Sequence, residues 1–383
     1  MKIVMVSCFS NKDAYSRGNV IYNYFKNRND KCFLIYSEFD HGTKTYKKMD
    51  DDFWIPVKTI RYKKNFSLNR MISHFFFGMK AASLIKKLKP DLIYVAVPPN
   101  AASFFACKVA KKLNLRLIID IVDLWPESLP ISKKIKLFAA PLFKIWKNLR
   151  ETSLIEANVI MYECDYYKEY LGSNKLLNEK SCTVYLSKLG EYNQIIKFTT
   201  CFDDVLNICY IGSINYLIDI DFLINLMIEI KKSKPINLNI IGIGEKKSYL
   251  VGKLNEFNIS YFDYGAIYDE SEKIKIMAKC DFGFNVYNKQ AIIGLTYKSV
   301  DYLYGGLPLI NSIKGDTWKM VEERKIGINV NPDDYIYSAK LILDLGKEEI
   351  EEMKKNVVNT YVDCFSYATL ERNMDLVVDM AFK

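Results

Sequence analysis

Two successive series of short apolar runs constrain the fold of this 383-residue chain more than any other feature. Each run is rich in β-branched residues and is separated from the next by a longer helical pattern, which is the signature of parallel sheets with crossover helices. The sequence therefore predicts an α/β protein with two doubly wound sheets. The predicted strands are Lys2–Ser7, Lys31–Tyr36, Asp91–Val97, Arg116–Asp120, Val159–Tyr162 and Cys182–Leu186 in the first series, and Val205–Ile211, Asn237–Ile241, Ile259–Phe262, Asp281–Asn285 and Leu307–Ile310 in the second.

A polar stretch, Ser187–Asp204, separates the two series and has the composition of a linker. We place the domain boundary near residue 195, which gives an N-terminal domain of residues 1–195 and a C-terminal domain of residues 196–362. Residues 363–383 are predicted to form a helix that packs back on the N-terminal domain. Because ligands of such sheets bind at the carboxyl ends of the strands, a cleft between the two domains is the expected ligand site.

The charge differs between the halves of the chain. Residues 1–190 hold 32 Lys and Arg against 17 Asp and Glu, whereas residues 191–383 hold 22 against 28. A basic half suits nucleic acid, an anionic bilayer or a phosphorylated ligand, and charge alone does not choose among them. Nine cysteines without a CxxC pair and two histidines, His41 and His74, favour free thiols and no metal site. No secretory leader or membrane-spanning run is recognised, so a cytoplasmic location is expected.

The segment Ile293–Ile310 carries the strongest signal for chemistry. A turn with Gly294, Leu295 and Thr296 opens a short helix at Tyr297, a glycine pair closes the helix, and a strand marked by a proline follows. The N–H groups at the helix start and the side chain of Lys298 suit a diphosphate, and Asp301 is placed to accept hydrogen bonds from ribose hydroxyls. The alternative is a solvated i, i+3 pair of Lys298 and Asp301 on a surface helix.

This segment resembles the donor-site helix of the retaining, GT-B-fold glycosyltransferases of family four, whose pattern is Pro-x-Lys-x-x-Glu-Tyr-x-x-x-Gly-x-Pro-Val-Ile. The pattern is matched in order, with Asp for Glu, by Lys298, Asp301, Tyr302, Gly306, Pro308 and Ile310. The resemblance implies the GT-B fold, which consists of two Rossmann-like doubly wound domains facing a central cleft. It also implies metal-independent transfer, with retention, of a sugar from a nucleotide-diphosphate sugar, and a UDP-sugar is the first expectation.

Three further turns in the second half resemble donor-site loops of the same family. Glycine in these turns lets the backbone approach a ligand. The sequence departs from the family at three places, because Ser213, Ile218 and Ile293 stand where Arg, Lys and Glu are usual. These departures favour an alternative, a non-catalytic glycosyltransferase-like subunit that supports an active partner. The implied cofactor-binding residues in these turns are Gly212, Ser213, Gly242, Gly244, Ala266 and Ile267.

The N-terminal half carries a second strong match, Asp120–Ser128, directly after a predicted strand. It resembles the Asp-Leu-Trp-Pro-Glu-Ser loop of the family's polysaccharide-assembly members, which makes Asp123 the best polar candidate on the acceptor side of the cleft. The alternative is a capping turn in which Asp123 or Ser128 satisfies backbone groups. At the first helix start, Arg17 and Gly18 stand where the family keeps a glycine-rich loop, so Arg17 is a candidate phosphate contact, although an exposed helix-start arginine fits equally well.

Residues 131–150 combine six Lys and Arg with Phe, Trp and Leu, which is the composition of a helix lying in a membrane interface. The alternative is an ordinary amphipathic helix with its aromatic residues in the core. No nucleic-acid-binding signature accompanies the basic residues, so no nucleic-acid partner is predicted.

The expected protein is a glycosyltransferase of bacterial surface-polysaccharide synthesis, of the capsule or O-antigen type. Its expected catalytic residues are Asp123, Lys298 and Asp301, and its expected acceptor is a lipid-linked saccharide or an oligosaccharide at the inner face of the cell membrane, where the protein would be peripheral. A nucleotide-sugar epimerase is a rival, but it requires convergent acid and base residues that the sequence does not offer.

Overall fold

The structure is a computed structural model, and it describes residues 1–12, 15–64, 66–129, 131, 133–172, 175–190, 192, 204–289 and 291–383. By internal packing the chain divides into two compact units, Met1–Gly190 together with Tyr367–Lys383, and Glu191–Ser366. The boundary expected near residue 195 falls within residues 193–203, which lie outside the described residues.

The N-terminal unit is built on a sheet of seven parallel strands. These strands are β1 (Lys2–Val6), β2 (Lys31–Ser37), β3 (Trp54–Val57), β4 (Leu92–Val97), β5 (Arg116–Ile121), β6 (Val159–Tyr162) and β7 (Ser181–Thr183). They lie in the order β3-β2-β1-β4-β5-β6-β7. Successive strands are added on one side of β1 up to β3 and on its other side from β4 onwards, so the strand order reverses between β1 and β4. Every residue of β4 is buried, as expected for a central parallel strand with both faces covered.

Helices cover this sheet and several begin at a side-chain cap. Ser16 accepts a hydrogen bond from the N–H of Asn19, and Ser67 accepts one from the N–H of Arg70, which satisfies N–H groups that have no partner within the helix. The helices of this unit are α1 (Arg17–Asn27), α2 (Leu68–Leu88), α3 (Asn100–Leu113), α4 (Lys133–Phe138), α5 (Ala140–Glu156), α6 (Asp165–Leu171), α7 (Lys175–Glu179) and, from the far end of the chain, α15 (Tyr367–Phe382).

Helix α15 completes the core of the N-terminal unit. Its residues Leu370, Met374, Val377 and Val378 are buried in one cluster with side chains of β1, β2, β4 and β5. The last helix of the chain therefore contributes to the same hydrophobic core as the first strand.

The C-terminal unit is a second doubly wound sheet, with six parallel strands. These are β8 (Leu206–Ile211), β9 (Ile236–Ile241), β10 (Ser260–Gly265), β11 (Phe282–Asn285), β12 (Leu309–Asn311) and β13 (Gly327–Asn329), in the order β10-β9-β8-β11-β12-β13. Its helices are α8 (Ile220–Lys231), α9 (Lys247–Glu256), α10 (Glu270–Met277), α11 (Tyr297–Tyr304), α12 (Asp316–Arg324), α13 (Tyr335–Leu343) and α14 (Lys347–Thr360), and a π-helical turn, Tyr361–Phe365, follows.

The predicted fold class is confirmed, and the sequence prediction missed only short edge strands of the sheets described above. Strand β3 has four residues and contains Pro56, which lacks a backbone N–H and is tolerated at the edge of a sheet. Strand β13 has three residues and also lies at an edge. Neither is long enough to show an apolar period. Within the described residues, no helix has the length and apolar character needed to span a bilayer.

Candidate functional site

The predicted donor-site turns lie at the carboxyl end of the second sheet. Gly212 directly follows β8, Gly242 directly follows β9, and Ala266 and Ile267 follow β10. The carboxyl ends of parallel strands are the edge at which doubly wound sheets bind ligands. The local structure therefore places these backbone turns along the ligand-binding edge.

The turns after β8 and β9 pack backbone against backbone. Gly212 has a φ of 104°, a region that favours glycine, and its N–H donates to the carbonyl of Ile241 at 2.8 Å. A Cβ atom at Gly242 would overlap the carbonyl oxygen of Gly212, and one at Gly244 would overlap that of Ile214. Glycine is required at Gly242 and Gly244 because no side chain fits between the two turns.

Lys298 lies against the Gly212 turn and is buried. It is 8% exposed, and a Cβ at Gly212 would lie 3.2 Å from its Cε. Its Nζ donates to the hydroxyl of Tyr210 at 2.7 Å, and it lies 4.0 Å from the Tyr210 ring centroid and 5.1 Å from that of Tyr287. Burial lowers the pKa of Lys298 well below its ordinary value.

The charge state of the Lys298 side chain depends on the groups around its Nζ. Among the residues that the structure describes, no carboxylate lies within ion-pair distance of its Nζ. A buried amine in this position is unfavourable as a cation until an anion arrives. The arrangement therefore fits an anionic ligand at the Gly212 turn, and it excludes the solvated surface pair that was the alternative interpretation.

Buried asparagines hold the start of α11 against the sheet. Thr296 caps the helix by accepting from the N–H of Ser299 at 3.0 Å, and Asn285 donates to the Ser299 hydroxyl at 3.1 Å. Asn285 also donates to Asn311 at 3.0 Å, and Asn311 donates to Asn329 at 2.8 Å. These residues end β11, β12 and β13 in register, so the network fixes the helix start that carries Lys298. The sequence analysis missed this network, although Asn285 ends one predicted strand and Asn311 directly follows the next.

Lys247 joins two of the donor-site turns, and the sequence analysis missed it too. Its Nζ donates to the carbonyl of Gly242 at 3.0 Å and to the carboxylate of Asp263 at 2.7 Å. The same Asp263 carboxylate accepts from the N–H of Gly265 at 3.0 Å. The turn before Ala266 is thereby tied to the turn after β9.

Two residues of the matched motif have different roles. The hydroxyl of Tyr302 accepts from the N–H of Ile211 at 2.9 Å and lies 3.2 Å from the carbonyls of Cys209 and Phe284, so it connects β8 with β11. Asp301 is half-exposed on α11, where a ligand hydroxyl can reach it. Tyr302 is therefore structural, whereas Asp301 remains a candidate contact.

The structure gives Arg17 a role different from the predicted phosphate contact. It is 2% exposed and forms a bidentate ion pair with Asp120, with Nε at 2.7 Å and Nη2 at 3.0 Å, and its Nη1 donates to the carbonyl of Val184. The hydroxyl of Tyr94 donates to the same carboxylate. The guanidinium is thus committed to the core, and the exposed arginine at a helix start is also ruled out. Gly18 follows it, packed too closely against Ser7 and Ser10 to accept a side chain.

Asp123 lies after β5, as predicted, and its carboxylate caps the loop that follows. It accepts from the N–H of Leu124 at 2.8 Å, from Nε1 of Trp125 at 2.7 Å and from the hydroxyl of Ser128 at 2.5 Å. Burial raises the pKa of Asp123, and these hydrogen bonds oppose the rise. The capping alternative therefore has direct support, while a role toward an acceptor stays a prediction.

Glu163 is a buried acid that the sequence analysis missed. It directly follows β6, is 7% exposed, and its carboxyl has no hydrogen-bond partner within the described ranges. Burial raises its pKa to about 8, with Asp120 and Asp123 adding to the rise and Arg17 opposing it. The signal that identified Asp123, an acid directly after a predicted strand, was present here as well.

No protein-family model and no curated protein matches the sequence. Solved structures do match the fold over nearly the whole chain. Sucrose-phosphate synthase from Thermosynechococcus elongatus matches with a TM-score of 0.73 and 12% identity, covering 100% of this chain and 99% of that chain. HepE from Anabaena, in complex with UDP and glucose, matches with a TM-score of 0.64, 14% identity and 99% coverage of both chains. The lipopolysaccharide outer core galactosyltransferase WaaB, in its apo form, has a TM-score of 0.66, 14% identity and 99% coverage of both chains.

The chain has the GT-B fold. Within this GT-B protein the predicted residues fall into two groups. Those of the C-terminal unit converge on one edge of its sheet, where Gly212 and Lys298 touch. Arg17, Gly18 and Asp123 belong to the N-terminal unit, where Arg17 and Asp123 have local structural partners. The part of the chain that the structure describes contains no group of three or more His, Cys, Asp or Glu arranged to hold a metal ion.

Proposed function

We propose that this protein is a glycosyltransferase that binds a nucleotide-diphosphate sugar in its C-terminal unit and transfers the sugar to an acceptor bound by its N-terminal unit. One observation carries the proposal: Lys298 is buried beside the Gly212 turn, and in the described part of the chain no carboxylate lies within ion-pair distance of its Nζ. A diphosphate supplies the missing charge, and its binding restores the charged form of the amine. The complex of HepE, a GT-B neighbour, with UDP and glucose supports UDP as the nucleotide.

Each donor-site residue has a proposed task. Lys298 and the N–H groups of Gly294–Tyr297 neutralise the leaving diphosphate, Asp301 accepts from the ribose, and the backbone at Ala266 and Ile267 receives the base. Positioning and leaving-group electrostatics then supply the rate enhancement, with retention and without a metal ion. This is the mechanism that the resemblance to family four implies.

The proposed test measures UDP binding by calorimetry to the wild type, to Lys298→Met and to Lys232→Met, a matched loss of one exposed lysine in the same unit. Loss of a charge-assisted contact costs about 1.5–3 kcal/mol, or roughly 10- to 150-fold in Kd. We expect that loss for Lys298→Met and none for Lys232→Met. Equal affinity of all three proteins would remove Lys298 from the site, and absence of UDP binding to the wild type would sink the proposal.

A second candidate follows from Ser213, Ile218 and Ile293. Serine and isoleucine side chains carry no charge. Neither Ser213, which is exposed, nor Ile218, which packs in the core, therefore supplies a cation near the Gly212 turn. A non-catalytic subunit would bind UDP and yet turn over no donor. Hydrolysis and transfer assays with a panel of UDP-sugars separate the two candidates, because only the enzyme releases UDP.

The acceptor is proposed to be lipid-linked, in capsule or O-antigen synthesis at the inner face of the membrane. Helix α4 and the first part of α5 lie within the range 131–150. Leu137 and Phe138 are 80% and 92% exposed, as expected for apolar side chains that enter a bilayer interface. Trp146, in contrast, is buried against Trp125 and does not contribute to this exposed surface. The side chains of Lys133, Lys134 and Lys136 lie outside the described residues.

Co-sedimentation with anionic liposomes tests this contact. Replacement of Lys133, Lys134 and Lys136 by glutamate should weaken binding at low salt, since each lysine near an anionic surface contributes about 1 kcal/mol. Leu137→Ser with Phe138→Ser should remove the binding that persists in high salt, because apolar insertion is not screened. Binding that is equal for all three proteins would remove α4 as the membrane contact.

A further inference from the structure

A cavity of about 490 Å³ opens in the N-terminal unit, beside the chain that connects β3 to α2. Its size is in the range of small-molecule sites. It belongs to the unit that does not contain Lys298. The residues that line it are Phe39, Lys44, Arg61, Tyr62, Lys63, Lys64, Ser67 and Asn69.

Half of the lining side chains are cations. Arg61, Lys63 and Lys64 are exposed, and among the described residues none of the three forms an ion pair with a carboxylate. Lys44 is half-buried, and burial together with the positive charge of Arg70 lowers its pKa. Four like charges around one cavity repel one another, so an anion bound among them is strongly favoured.

Two more features add positive potential to the same cavity. Ser67 caps the 21-residue helix α2, and the positive end of the helix dipole lies at this start. Arg70, in the first turn of α2, is buried behind the cavity wall, with its guanidinium 5.7 Å from the ring centroid of Tyr62. The nearby carboxylate of Asp40 accepts from the N–H of Thr43 at 2.7 Å and does not line the cavity.

The remaining wall is aromatic and rigid. Phe39 and Tyr62 are both buried, with ring centroids 4.7 Å apart in an edge-to-face contact. The Tyr62 hydroxyl hydrogen-bonds Nδ1 of His41 at 2.9 Å, and burial lowers the pKa of His41 to about 4, so this histidine stays neutral at physiological pH. Aromatic rings suit the C–H face of a sugar ring, whereas the cations suit a phosphate.

We infer that this cavity binds the phosphate or diphosphate group of the acceptor. The inference rests on the proposed function, since it assigns the acceptor to the class of phosphorylated or diphosphate-linked saccharides. The phosphate accepts hydrogen bonds from Arg61, Lys63 and Lys64. Basic residues of the N-terminal half then bind a defined ligand, in addition to attracting anions in general.

The test uses inorganic pyrophosphate as the probe and calorimetry at low salt. All proteins carry Lys298→Met, so that the donor site contributes little to the binding. The cavity variant adds Arg61→Ser, Lys63→Ser and Lys64→Ser. The matched control adds Lys86→Ser, Lys87→Ser and Lys89→Asn at the opposite end of α2, with the same loss of charge; asparagine suits the left-handed backbone of Lys89, whose φ is 46°.

We expect the Kd for pyrophosphate to rise at least about tenfold in the cavity variant and less than about twofold in the control, since charge-assisted contacts to the anion are lost only in the former. Equal affinity of the two variants, or no binding to the protein that carries Lys298→Met alone, would overturn the inference. UDP binding measured with Lys298 intact reports on the donor site separately. Loss of UDP binding together with retained pyrophosphate binding would reject the proposed function and leave the anion site in place.

Vesicles of phosphatidylcholine with phosphatidic acid distinguish the source of the phosphate. If the cavity variant loses both pyrophosphate and vesicle binding, the ligand is membrane-anchored. If it loses only pyrophosphate binding, the ligand is a soluble phosphorylated saccharide. Both results support the anion site. If vesicle binding falls equally in the control variant, the vesicle binding depends on net charge and not on the cavity.

Discussion

Arg17 and Lys298 are both buried cations, one in each unit, and their surroundings differ in one respect. Arg17 forms a bidentate pair with the carboxylate of Asp120. Lys298 lies against the hydroxyl of Tyr210 and two aromatic rings, and no carboxylate among the described residues lies within ion-pair distance of it. Burial by itself acts to lower the pKa of both groups, because it disfavours the charged form. For Arg17 the charge and hydrogen bonds of Asp120 outweigh that effect and raise the pKa, and for Lys298 nothing opposes it.

This difference separates a structural charge from a candidate binding group. A buried cation with a carboxylate is neutralised inside the protein and is costly to disturb, while one without a carboxylate gains most from an external anion. The two residues share one sequence signal, because each is a basic residue at the start of a helix with a glycine nearby. The partner decides the role, and it lies 103 residues away from Arg17 in the sequence.

The largest expected effect on stability comes from removing the carboxylate that pairs with Arg17. Asp120→Asn leaves Arg17 buried without a neutralising charge, which should lower the free energy of unfolding by about 3–5 kcal/mol. Urea denaturation at neutral pH measures it. Glu156→Gln, which breaks the exposed pair with Lys111, is the control and should change stability little. If the two variants lose equal stability, the buried pair is not a structural element.

Glu163 extends the comparison to a buried acid whose carboxyl has no hydrogen-bond partner among the residues that the structure describes. Its pKa of about 8 lies above that of an unfolded glutamate, so the unfolded state releases the proton first as pH rises. The wild type should therefore lose stability relative to Glu163→Gln between about pH 4.5 and pH 8, by on the order of 3 kcal/mol. Parallel pH profiles of unfolding for the two proteins would show that the carboxyl is solvated.

Lys298→Met tests directly how the buried Lys298 amine affects stability. Methionine fills a similar volume without a buried amine, so the free energy of unfolding at neutral pH should rise by about 1–3 kcal/mol. Because the folded-state pKa of Lys298 is lowered, the unfolded state binds more protons and the wild type gains on the variant as pH rises toward the ordinary lysine range. A less stable variant that binds UDP normally would make Lys298 structural, like Arg17.

The smallest effect is a proton count. If UDP restores the charge of Lys298, binding takes up as much as about one proton near neutral pH. Calorimetry in buffers with different ionisation enthalpies measures this uptake, which should vanish in Lys298→Met. Uptake that is the same in both proteins would move the protonation to another group.

The sequence predicted the two sheets because their central strands are buried on both faces and read as continuous apolar runs, as in β4. It missed β3 and β13 because edge strands of three or four residues carry no such run. It placed Lys298 in a helix start from the local motif, but it did not show that the rings of Tyr210, 88 residues away, and Tyr287 enclose this side chain. The aromatic wall of the cavity could not be predicted from the sequence, since Phe39 and Tyr62 meet only after folding.

The position of α15 sets the order in which the chain can mature on the ribosome. The core of the N-terminal unit includes Leu370, Met374 and Val377, so that unit cannot bury its full apolar surface until the last helix has been made. Synthesis at about 5–20 residues per second leaves the core of the N-terminal unit incomplete for roughly ten to forty seconds while the second unit emerges. The second unit, whose residues are contiguous, is complete sooner after its own translation, and the N-terminal unit is the one exposed to chaperones and to aggregation during that interval.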